Sequence, residues 1–92
     1  MLYPFMTLDD DTEIVHSEAY LENGKEIVRV EIEKPVNGGF ASATVYLPDY
    51  KWEKITGFSQ TEIDYFTELI GSLAHVIIQL AREGGFENAS SF

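Results

Sequence analysis

The 92 residues carry 16 acidic and 6 basic side chains, which gives a formal net charge of −10 at pH 7, and 45% of the residues are hydrophobic. This length fits one domain, the hydrophobic content argues against disorder, and the absence of cysteine excludes disulfides and thiolate metal sites. Because the basic residues are few and scattered, we expect no binding to nucleic acid, which requires clustered positive charge, nor to anionic membranes. A basic protein partner is compatible with this charge.

The sequence also predicts where the protein resides. No apolar run reaches the length of a membrane span, and the N-terminus lacks the basic start and long apolar run of a signal peptide. We therefore expect a cytoplasmic protein. Gly38-Gly39 leads into a strand pattern, whereas a phosphate-binding loop leads into a helix, so we predict no cofactor.

Residues 2–8 are predicted to form a short strand at the edge of the sheet or an extended arm, because Pro4 cannot donate a backbone hydrogen bond to a β-ladder. Acidic side chains then alternate in the manner of a calcium-binding loop, at Asp9, Asp11 and Glu13. Such a loop needs a glycine at its sixth position, where this chain has Ile14. We interpret residues 9–12 as a solvated turn and predict no metal site.

Asn23-Gly24 is a preferred two-residue turn and predicts a hairpin with strands at about 13–22 and 25–34. The turn places Glu22 opposite Lys25. Counting outward in this register gives three compatible pairs on one face, which are Glu18 with Arg29, His16 with Glu31 and Glu13 with Lys34. On the other face the same register opposes Val15, Ser17 and Ala19 to Ile32, Val30 and Val28.

The next strand is predicted at about 40–47. We place its small-residue face on the core, because small residues let a helix approach closely; this face is Ala41, Ala43, Val45 and Leu47. A one-residue slip would swap the two faces, so the alternative stays open. The choice leaves five large residues on the other side of the sheet, namely Ile14, Tyr20, Ile27, Phe40 and Tyr46.

Residues 48–57 are predicted to join this strand to a helix. Three aromatic residues in and after this loop can cover one end of the core: Tyr50, Trp52 and Phe58. The alternative is a small-ligand pocket near Trp52, between sheet and helix. Its lid would consist of Tyr46, Tyr50, Trp52 and Phe58.

The long helix has clear start and stop signals. Ser59-Gln60-Thr61-Glu62 is a capping box, and Gly84-Gly85 supplies a left-handed stop. Together they predict a helix at about 60–83. Residues 86–92 form a polar tail with two isolated aromatic residues.

The C-terminal half of this helix is apolar around most of its circumference, which predicts burial on more than one side. We expect a second copy of the chain to cover it, most simply in a two-fold dimer. The predicted interface is Ile70, Leu73, Val76, Ile77, Ile78, Leu80 and Ala81. The alternative cover is the tail, residues 86–92.

Few residues could support catalysis. His75 lies on the polar face of the helix, where we expect it to be solvated. His16 is predicted to face Glu31 across the hairpin, and this pair is the one candidate for acid–base chemistry of a hydrolase kind.

A strand meander followed by Leu47-Pro48-Asp49 and a capped helix resembles the layout of the HicB-type antitoxin fold, in which a small sheet packs on one helix. The matching residues are Pro48-Asp49 and Ser59-Gln60-Thr61-Glu62 with the helix that follows, in the second half of the chain. The resemblance implies dimerisation and the masking of a basic toxin partner. The whole chain also resembles small bacterial proteins of unknown function, a likeness that implies no particular activity.

The sequence as a whole predicts a single α+β domain, with an antiparallel three- to four-stranded β-meander packed against one long C-terminal α-helix. The leading functional hypothesis is a non-enzymatic protein-interaction module that forms an acidic homodimer. The alternative is a small-ligand-binding domain with a pocket near Trp52. A third is a hydrolase-like enzyme that uses His16 with Glu31.

Overall fold

Six strands and one helix make up residues 1–84, the part of the chain that the computed structural model describes. The predicted tail, residues 86–92, lies outside the described residues. In chain order the elements are β1 (Leu2–Thr7), β2 (Glu13–Ser17), β3 (Tyr20–Glu22), β4 (Lys25–Val36), β5 (Gly39–Leu47), β6 (Lys51–Thr56) and α1 (Gln60–Glu83). This arrangement confirms the predicted α+β fold.

All neighbouring strands are antiparallel, in the order β1-β2-β4-β5-β6, and β3 pairs with β4. The helix α1 packs on one face of this sheet. Two predictions about the strands were wrong. Residues 13–22 form two strands rather than one, and the joining segment 48–57 contains strand β6. A bulge interrupts the side-chain alternation by which β6 could have been predicted. The register shifts between Ser42 and Thr44 of its partner strand, and Lys54 of β6 has a positive φ of 54°.

The predicted hairpin register is correct next to the turn and wrong further from it. Glu22 pairs with Lys25, as the Asn23-Gly24 turn predicts. Strand β2, however, pairs with β4 one residue out of the predicted register. The observed pairs are Glu13 with Glu33, Ile14 with Ile32, Val15 with Glu31 and His16 with Val30. The predicted pairs between residues 13–19 and 28–34 are therefore wrong.

The slip coincides with a break in the ladder after Ser17. The hydroxyl of Ser17 accepts a hydrogen bond from the backbone N–H of Arg29 at 2.9 Å. The backbone N–H of Ala19 leaves the ladder and donates to the carbonyl of Ala81 in α1 at 3.1 Å. Glu18 lies in the break, where its carboxylate accepts from the Tyr3 hydroxyl at 2.8 Å. The break turns the even-numbered side chains of β2 toward the helix.

The core lies between α1 and the face of the sheet that carries the small residues of β5. Ala41, Ala43, Val45 and Leu47 are all buried there, as predicted. The prediction that Ile14 lies on the other face was wrong, because the slipped register of β2 buries this residue in the core. The buried cluster consists of Ile14, Val28, Val30, Ile32, Val45, Leu47, Phe66, Ile70, Ile77 and Ala81.

The predicted ends of the helix are confirmed. The Ser59 hydroxyl accepts from the backbone N–H of Glu62 at 3.1 Å, and the Glu62 carboxylate accepts from the backbone N–H of Ser59 at 2.9 Å. Gly84 ends the helix in the left-handed region, with a φ of 82°. No helix in residues 1–84 combines the length and apolarity that a membrane crossing requires.

Candidate functional site

The predicted helix interface is largely inside the single chain. Ile70, Ile77, Leu80 and Ala81 are core residues, so these four do not supply an exposed surface. Leu73, Val76 and Ile78 are half-buried. The sheet reaches the end of the helix, where the Arg82 guanidinium donates to the Glu26 carboxylate of β4 at 2.6 Å. Self-association through the half-buried residues stays a prediction, and the alternative cover, residues 86–92, lies outside the described residues.

His16 and Glu31 do not come together. His16 lies on the helix side of the sheet and is fully buried, with its Nδ1 2.8 Å from the carbonyl oxygen of Ser17. Because a carbonyl only accepts, Nδ1 is the hydrogen-bond donor, and within residues 1–84 the buried Nε2 has no hydrogen-bond partner. Glu31 lies on the opposite face, where it accepts from the Thr44 hydroxyl at 2.8 Å. The predicted acid–base pair is therefore absent, and the exposed His75 lies on α1.

The predicted ligand lid is also divided between the two faces. Trp52 and Phe58 pack against the core on the helix side, and the Tyr50 hydroxyl lies near Gly71 of α1. Tyr46 lies on the opposite face. Four cavities are bounded by residues 1–84, and none of these four is lined by Tyr50, Trp52 or Phe58.

The acidic turn after β1 is held by its own hydrogen bonds. Asp10 accepts from the backbone N–H of Thr12 at 3.1 Å and from its hydroxyl at 2.6 Å. These bonds, together with nearby Lys34, hold the pKa of Asp10 below its ordinary value. Among residues 1–84 no three His, Asp or Glu side chains are grouped so that they could hold a metal ion.

A cleft of about 480 Å³ lies on the face of the sheet away from the helix. Tyr20 and Tyr46 line it, and burial, followed by the charge of neighbouring groups, raises the pKa of each hydroxyl. At its edge the Lys25 ammonium binds the Asp49 carboxylate at 2.6 Å. The cleft can therefore offer neutral hydroxyls and mostly paired charges to a small polar molecule.

A larger groove of about 590 Å³ lies between the end of β1 and the first two turns of α1. We call it the β1–α1 groove. Strand β1, the turn after it and the helix each contribute to its lining, which consists of Met6, Thr7, Leu8, Asp9, Asp10, Thr61, Glu62, Tyr65 and Phe66.

Local contacts fix both walls of the β1–α1 groove. On the strand side, the backbone N–H of Leu8 donates to the carbonyl of Thr12 at 2.8 Å and closes the turn. On the helix side, the capping box holds Glu62. Lys34 joins the two walls, because its ammonium lies 3.5 Å from the carboxylates of both Asp10 and Glu62. Both walls of the groove are therefore held by contacts within the chain.

The floor of the groove is apolar and its rim is acidic. Phe66 is 4% exposed, and Met6 and Leu8 pack against the same core. Tyr65 stands at the side with 54% of its surface exposed, and its ring centroid is 5.5 Å from that of Phe66. The rim carries three carboxylates, those of Asp9, Asp10 and Glu62.

Sequence reasoning missed this groove. It recognised the turn and the capping box separately, but nothing local brings residues 6–10 beside residues 61–66. The available signal was Tyr65, an aromatic residue that falls outside the apolar stripe of the helix next to Phe66.

Comparisons of the chain with protein-family models, with curated proteins and with solved structures returned no match. Function must therefore be inferred from the geometry of the chain itself.

Proposed function

We propose that this chain is a non-enzymatic protein-interaction module that binds a segment of a partner protein in the β1–α1 groove. The observation that carries the proposal is the half-exposed Tyr65 beside the apolar floor formed by Met6, Leu8 and Phe66. Apolar concave surfaces with a few polar groups at the margin are typical binding sites, and tyrosine is enriched among residues that dominate binding energy.

The rim carboxylates support binding rather than proton transfer. Hydrogen bonds from Ser59, together with nearby Lys34, hold the pKa of Glu62 below its ordinary value, and the pKa of Asp10 is lowered as well. A general acid at neutral pH needs a raised pKa, so that it keeps its proton. Both groups are ionised at neutral pH and can attract a partner, but they have no proton to donate.

The groove is open to solvent, since Asp9, Asp10, Thr61 and Tyr65 are all exposed. An open groove suits a continuous stretch of polypeptide better than a small molecule, which binds best when most of its surface is enclosed. The likeness of the helix and its preceding Pro48-Asp49 to the HicB-type antitoxin layout fits the same role, a protein that acts by binding another.

Selection of peptides provides the test. A phage-displayed library of peptides would be selected on the wild-type chain, and the enriched peptides would be measured against two variants by fluorescence anisotropy. Tyr65→Ala should weaken binding at least about tenfold, as expected for a central aromatic contact. Tyr20→Ala is the matched control, because it removes an exposed tyrosine from the opposite face and should leave binding unchanged. Peptides that are insensitive to Tyr65→Ala, or a library without enrichment, would contradict the proposal.

A further inference from the structure

We infer that the partner segment of the β1–α1 groove carries a basic side chain close to an apolar one, an inference that rests on the proposed function. Among residues 1–84, the lining of the groove contains three carboxylates and no basic residue. Within residues 1–84 the one cation paired with a rim carboxylate is Lys34, whose side chain is 29% exposed and whose ammonium lies 3.5 Å from Asp10 and from Glu62. One positive charge against three negative charges leaves the rim acidic, within a chain whose formal net charge is −10.

Asp9 is the carboxylate that is available to a partner. Asp10 accepts hydrogen bonds from Thr12, and Glu62 is engaged with Ser59. Within residues 1–84 we find no hydrogen bond or ion pair for the exposed Asp9 carboxylate. A lysine or arginine placed on this side of the groove would gain a charge-assisted contact without breaking one that holds the fold.

The start of the helix does not provide an anion site, although helix N-termini often do. The Ser59 hydroxyl already accepts from the backbone N–H of Glu62, and the Glu62 carboxylate occupies the positive end of the helix dipole. A phosphate or an acidic side chain would meet this carboxylate. The charge of the groove therefore selects against acidic segments as well as for basic ones.

The apolar part of the partner is defined by the floor. Phe66 and Leu8 lie in the same groove as Asp9, so a ligand must satisfy both surfaces together. In an extended segment, side chains two residues apart lie on the same side and are separated by about 7 Å. A basic residue and an aliphatic or aromatic residue at such positions would place the charge at the rim and the apolar group on the floor.

Charge-swapped peptides test this inference. Each peptide that binds in a Tyr65-dependent manner would be compared with a copy in which its lysine and arginine residues are replaced by glutamine, and with a copy in which they are replaced by glutamate. We expect the glutamine copies to lose about tenfold in affinity and the glutamate copies to lose more. Asp9→Asn should weaken the parent peptide about threefold to tenfold and leave the glutamine copy unchanged. Glu33→Gln, an exposed position on β4, is the control and should change neither.

The outcomes separate this inference from the function on which it rests. Tyr65-dependent binding that is indifferent to the charge swap would overturn the basic partner and leave the interaction module standing. Loss of all Tyr65-dependent binding would overturn both. A second copy of the chain in the groove would appear in sedimentation as a dimer that Tyr65→Ala dissociates, and this result would also overturn the basic partner.

Discussion

Gly57, between β6 and α1, is the position where a single methyl group should be most damaging. Its φ is +82°, in the left-handed region that favours glycine. A Cβ at this position would lie 3.0 Å from the Cβ of Ala41 and 3.1 Å from its Cα. Ala41 is 1% exposed and belongs to β5, so its backbone cannot easily move away. We therefore predict that Gly57→Ala destabilises the fold through two separate effects.

The expected magnitude follows from those two effects. Holding an L-residue in the left-handed region costs roughly 1–2 kcal/mol, and forcing an additional methyl group into a well-packed site costs roughly 1–3 kcal/mol. If part of the crowding is relieved, Gly57→Ala should lower the free energy of unfolding by about 2–4 kcal/mol. For a domain of this size each kcal/mol changes the melting temperature by about 4–8 °C, so the melting temperature should fall by at least about 8 °C.

Urea denaturation monitored by circular dichroism measures this change, and Gly71→Ala is the matched control. Gly71 lies in the middle of α1, where a Cβ would make an ordinary 3.7 Å contact with the Tyr50 hydroxyl. Alanine is a better helix former than glycine, so Gly71→Ala should raise the free energy of unfolding by about 0.5–1 kcal/mol. The same mutation should thus have opposite signs at the two glycines. A Gly57→Ala variant as stable as the wild type would refute the close packing of the loop on Ala41.

Two further predictions concern contacts that hold the sheet and the helix. Ser17→Ala should lower the free energy of unfolding by about 1–3 kcal/mol, because the backbone N–H of Arg29 loses its acceptor. The control Ser72→Ala, on the exposed side of α1, should change the free energy of unfolding by less than about 0.5 kcal/mol. Equal effects of the two mutations in urea denaturation would contradict the role of the Ser17 hydroxyl. Hydrogen bonds from Arg82 lower the pKa of Glu26 in the folded state, so this pair contributes stability above the ordinary glutamate pKa, and that stability is lost as pH falls through the folded value. Between about pH 5 and about pH 3 the urea midpoint should fall less in Glu26→Gln than in the wild type, and parallel curves would show that the pair contributes nothing.

Sequence reasoning succeeded where a structure is decided by neighbouring residues. The Asn23-Gly24 turn and the capping box from Ser59 to Glu62 each need only a few consecutive residues, and both are observed. The predicted register of β2 was wrong because the ladder breaks at residues 18–19, between the pairs of β2 and those of β3, and no sequence pattern marks this break. Strand β6 was not predicted, because Lys54 has a left-handed backbone conformation that breaks the alternation of the strand's side chains.

Four residues of the predicted helix interface lie in the core for a different reason. The apolar circumference of the helix predicts burial on more than one side, but it does not determine which surfaces cover each side. The sheet has six strands rather than the predicted three or four, and Glu26 and Ala19 bind the last turns of α1 directly. Four residues assigned to a dimer therefore belong to the core, among them Ile70 and Ile77, which are fully buried.

The β1–α1 groove could not be predicted because it arises where three separate segments meet, and this origin decides how it must be tested. Glu62 caps the helix and also lies on the rim, and Lys34 joins the two walls, so mutation of either residue would change stability and binding together. Asp9 lines the same rim, and within residues 1–84 no contact that holds the fold depends on its carboxylate. An effect of Asp9→Asn on binding, with an unchanged urea midpoint, can therefore be assigned to the partner contact alone.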